Sequence, residues 1–144
     1  MSSNASAFAA LDAHLDRLRR IPDLVRQSTP DVSSALKRKL DDNVARGVDP
    51  YGAPLRPTKD GRQPLKNAGA RIAVRPVGTT VLVELTGDEV RHHVGSARGY
   101  HGGSAKLGGF RRPLIPWRGL PGPIKAVIRE VLDRRFVHLM RGGR

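Results

Sequence analysis

Apolar positions fall at helical spacing in three stretches of this chain and alternate in a fourth. From Ser6 to Arg20, Phe8, Leu11, Leu15 and Leu18 recur every three or four residues, one stripe of a 3.6-residue period. Asp12, Asp16, Arg17, Arg19 and Arg20 fill much of the remaining surface. Pro22 interrupts the pattern, because it lacks the helical N–H donor and its ring clashes with the preceding turn; a short helical continuation over Asp23–Gln27 is expected. Thr29-Pro30-Asp31 predicts a new start: Thr29 as cap, Pro30 in the first turn, Asp31 at the positive end of the dipole. Val32, Leu36, Leu40 and Val44 supply the stripe of that helix, and Gly47 ends it. The two helices are expected to pack on each other or against a sheet.

The pattern then changes. Residues 48–70 hold Pro50, Gly52, Pro54, Pro57, Gly61, Pro64 and Gly69, and read as a long connection or arm. Arg71 to Arg75 and Thr80 to Leu85 read as two strands, with Ile72 and Val74 alternating against Arg71, Ala73 and Arg75. Gly78-Thr79 makes a hairpin turn between them. Asp88 to Val94 is a candidate third strand. His93 to Arg111 is dense in glycine and reads as a second long arm, followed by an extended segment from Phe110 to Pro116. Leu120-Pro121-Gly122-Pro123 opens a last helix with Ile124, Val127, Ile128, Val131, Leu132 and Phe136 as its stripe. The expectation is one α+β domain over 1–144. It comprises a helical part (1–47), an arm (48–70), an antiparallel sheet built on a hairpin (71–94), a Gly-rich arm with an extended segment (95–118) and a C-terminal helix (119–140).

Charge adds the next constraint. Twenty-six Lys and Arg against thirteen Asp and Glu give a net +13. Residues 1–47 contribute only +2 of this, so the positive field belongs to the arms, the strands and the last helix. Such a field draws nucleic-acid phosphates or acidic protein surfaces, and equally serves solubility. With no cysteine, disulfides, thiolate catalysis and cysteine-ligated metals are excluded. No apolar run approaches the ~20 residues that span a bilayer, and the N-terminus lacks the basic-then-apolar order of a secretory signal.

Candidate chemistry is sparse. His92-His93 is the one histidine cluster, but adjacent strand residues point to opposite faces, so the pair does not readily chelate one metal. Asp41-Asp42 sits among Lys37, Arg38, Lys39 and Arg46, as salt pairs on a solvated helix do. No nucleophile elbow and no phosphate loop ending in Gly-Lys-Ser/Thr occurs. No catalytic, metal or cofactor site is expected. Tyr51, Tyr100, Phe110 and Trp117 fall in loops among basic residues, as base-stacking platforms or as anchors on a neighbouring subunit.

One order of motifs stands out. Asp49-Pro50-Tyr51-Gly52-Ala53-Pro54-Leu55 follows a helix end. Pro64-Leu65-Lys66-Asn67-Ala68-Gly69 opens into the strands, and Arg112-Pro113-Leu114-Ile115-Pro116 precedes the closing helix. Over roughly residues 44–135 this resembles the tail-completion, or virion morphogenesis, proteins of tailed bacteriophages, with Leu55 where that family often carries Trp. The resemblance implies a non-enzymatic virion protein of the phage neck, assembled in the host cytoplasm. It would join the tail to the head connector as a homohexameric or dodecameric ring. Its partners would be copies of itself, the connector, the tail tube or tail terminator, and DNA passing through the lumen, with no membrane. Tyr51, Arg71, Arg75, Tyr100, Phe110, Arg111, Arg112 and Trp117 are the expected interface residues. The alternative from another class is a free basic nucleic-acid-binding protein whose Arg/Lys loops hold phosphates. A metal-dependent nuclease would need clustered carboxylates that the chain does not offer.

Overall fold

The computed structural model describes residues 2–87, 114–116 and 119–142. Two helices come first, α1 (Ser2–Arg19) and α2 (Ile21–Arg46), followed by a single 3-10 turn (Ala68–Arg71). A two-stranded antiparallel sheet, β1 (Ile72–Val77) and β2 (Thr80–Leu85), then precedes the last helix, α3 (Gly122–Met140). The architecture is the expected α+β one. The candidate third strand at Asp88–Val94 and the Gly-rich arm of 95–109 lie outside the described residues.

The expected helix start at Thr29 is overturned. α2 runs unbroken from Ile21, with Pro22 in its first turn and Pro30 inside it. The chain breaks instead at Arg20. Pro30 has no N–H to offer the turn before it, and the neighbouring hydroxyls bond back into that turn. Ser28 Oγ donates to Leu24 O at 2.6 Å and Thr29 Oγ1 to Val25 O at 2.9 Å. Thr29 therefore bonds backward within a helix and caps nothing.

The core lies where α2, the hairpin and α3 meet. Leu36, Leu40, Val44, Ala68, Ile72, Leu114, Ile115 and Ile124 are buried together, and Val74, Val81, Val83, Leu85 and Ile128 pack against them. Leu40 and Ile124 are wholly enclosed. The 2-residue hairpin registers Val77 with Thr80 and Ile72 with Leu85. Gly78 takes φ +61° at the first turn position, where a primed hairpin turn needs a positive φ. Leu114 and Ile115, the apolar pair of the Arg-Pro-x-x-Pro segment, are both inside.

Two packing expectations hold only in part. α1 touches both α2 and α3, yet its stripe stays partly open: Phe8 is 67% exposed, Leu11 52%, Leu15 40% and Leu18 39%. α2 instead gives its apolar face to the hairpin and α3, which leaves α1 beside the core. Phe136, assigned to the buried stripe of α3, is exposed. Leu139 is buried in its place, beside Leu24 and Ser28 of α2.

Candidate functional site: the pinned loop, the hairpin and a basic groove

The loop after α2 begins with a helix terminus closed by backbone bonds. Gly47 adopts the left-handed conformation at φ +65°. Its N–H reaches Val44 O at 3.1 Å, and the N–H of Val48 reaches Asn43 O at 2.9 Å, the paired bonds of a Schellman cap. The side chain of Gln63 returns to the same end, its Nε2 donating to Val44 O at 2.9 Å and Ala45 O at 3.0 Å. Carbonyls that a helix end leaves without partners are thus satisfied from its own loop.

Asp49 organises the Asp-Pro-Tyr-Gly turn. Its Oδ1 accepts from the N–H of Tyr51 at 2.9 Å and of Ala53 at 2.8 Å. Its N–H donates to Ala53 O at 2.8 Å, and Gly52 N–H donates to Asp49 O at 3.0 Å. Pro50, Leu55 and Pro64 are buried. The segment expected as a long connection or arm is a strap pinned to α2. It had enough apolar and hydrogen-bonding anchors to fold back, which its glycine and proline content concealed. The next motif is also close-packed. Lys37 Nζ bonds to Gly69 O at 3.0 Å and pairs with Asp41, and a Cβ on Gly69 would lie 3.0 Å from Asp41 Oδ1.

Of the expected interface residues, Tyr51 is half-buried in the strap. Arg71 is exposed at the end of the 3-10 turn, its carbonyl accepting from the N–H and hydroxyl of Thr86 at 2.8 and 3.1 Å. Arg75 is exposed on β1 and pairs across the hairpin with Glu84, its diagonal neighbour. Tyr100, Phe110, Arg111, Arg112 and Trp117 lie outside the described residues, as do His92 and His93. The structure does not gather Tyr51, Arg71 and Arg75 into one described pocket.

A second feature escaped the sequence reading. Asp31, Ser34 and Arg38 of α2 and Val131, Arg134, Arg135 and His138 of α3 line an open groove. Arg135 reaches Asp31 through Nε at 2.7 Å, a contact between residues 104 positions apart, and Arg134 pairs with Glu130 at 2.8 Å. The signal was the recurrence of basic residues at 134, 135 and 138 facing Arg38, which becomes visible only once the pairing of α2 with α3 is known. Both ion pairs are solvent-exposed, so their contribution to stability is small.

Among the described residues no group of three or more His, Asp or Glu side chains could hold a metal ion. No described helix is long and apolar enough to cross a membrane. Comparison with models of known families, with curated proteins and with solved structures finds no match.

Proposed function

We propose that the chain is a non-enzymatic structural subunit of a tailed-phage neck, which completes the tail and joins it to the head connector as part of a ring. The observation that carries this reading is the order of motifs together with the structural work each does. Asp49-Pro50-Tyr51-Gly52 turns the chain at the closed end of α2. Asn67-Ala68-Gly69 feeds the hairpin through a 3-10 turn packed on Lys37. Leu114-Ile115 plugs the core just before α3. All three motifs of the resemblance serve one packed unit of helix, hairpin and helix. The net charge of +13 suits a lumen or rim near DNA, or contact with acidic partners.

The test is genetic. A phage carrying a nonsense codon early in this gene should yield filled heads and separate tails in the lysate, rejoined when the protein is supplied. Joined, infectious particles without the protein would refute the proposal.

The groove favours a second reading, binding of nucleic acid by the free protein. Arg38, Arg134, Arg135 and His138 line one groove with Asp31, which pairs with Arg135, while Arg134 pairs with Glu130. This reading requires affinity for duplex or single-stranded DNA that falls steeply with salt, and a loss of that affinity in Arg38→Glu/Arg134→Glu.

A further inference from the structure

α1 spans 18 residues, yet its one apolar stripe is exposed to solvent along its length. Phe8, Leu11, Leu15 and Leu18 are spaced three, four and three, the 3.5-residue repeat of a coiled-coil seam. A helix of this length gains little from its own backbone in water, and most helical stability in proteins comes from packing an apolar face. Within the described residues α1 touches α2 and α3, yet that packing is partial and leaves Phe8 67% and Leu11 52% exposed.

We propose that the α1 stripe is the contact through which copies of this chain associate, helix against helix. Charge selects a second copy as the occupant. α1 holds Asp12 and Asp16 against Arg17 and Arg19, so it is neutral on a chain of net +13. The full excess of positive charge lies outside α1, and copies approaching by other faces repel one another. α1 lets apolar surfaces meet without that cost. The residues flanking the seam carry both signs, Asp12 following Leu11 and Arg19 following Leu18, so a second α1 offers a match for each. An acidic partner would be matched at the arginines alone, and DNA would meet Asp12 and Asp16 as well as the arginines. The contact does not depend on the neck reading, since it concerns association in solution whatever the assembly serves.

Sedimentation velocity of the full chain over a concentration series tests it. The wild type should pass from monomer to larger species as concentration rises. Leu11→Asp/Leu15→Asp should stay monomeric across the series, with the circular dichroism and unfolding midpoint of a folded protein, because neither side chain is in the core. Leu15→Ala, which keeps helix propensity and removes only the seam contact, should weaken association about tenfold or more. A wild type that is monomeric throughout would overturn the proposal, as would a folded double variant that associates like the wild type. Phage assembly by a strictly monomeric protein would sink this contact while leaving the neck reading standing.

Discussion

Asp49 shows how a residue that looks functional in a motif acts first on the backbone. Its carboxylate accepts two N–H groups of the turn that follows it. Asp49→Ala should leave those donors without their partner and cost about 1–2 kcal/mol, read as a lower unfolding midpoint in urea. Gly47 sits at the adjoining left-handed position, and an added Cβ would meet Gln63 at 3.2 Å. Gly47→Ala should cost about 1–2 kcal/mol from the backbone conformation alone. A variant as stable as the wild type at either position would contradict the strap's role in closing α2. Gly47 was legible as a helix stop because the αL terminus has a chemical signature. The role of Gln63 was not, since its partners lie 18 and 19 residues away and no local pattern marks it.

At the scale of elements, local signals misled where tertiary packing overrode them. Thr29-Pro30-Asp31 has the composition of a helix start, yet it lies within α2, which buries Ser28 before it and Val32, Leu36, Leu40 and Val44 after it. Pro30→Ala restores an N–H to the interior of α2, and should stabilise the protein by about 1–3 kcal/mol with helix content unchanged. A loss of stability would mean that Pro30 itself is needed for the packing of α2. The stripes of α1 and α2 looked alike in sequence, and structure separates them. Leu40→Ala should cost about 2–5 kcal/mol. Leu11→Ala, measured at dilution, should stay within about 0.5 kcal/mol of wild type. Amphipathic spacing states that a face wants cover; whether the same chain provides it depends on which surfaces win the competition for the core. The hairpin was fully legible because alternation, a Gly turn and short range all agree. The groove between α2 and α3 was not, because it joins residues about a hundred positions apart.

The whole molecule is a small packed unit flanked by an amphipathic helix of zero net charge, with the +13 excess on the rest of the chain. The core of α2, hairpin and α3 holds the motifs in place; in the proposed assembly α1 would bring copies together and the charge would face DNA or acidic partners. Such a body is suited to be one repeat of the proposed ring. Electron microscopy of the purified protein mixed with its tail tubes tests this most directly. The account predicts a ring of this protein seated at the head-proximal end of the tube. Bare tube ends, with the protein free in the background or spread along added DNA, would contradict it.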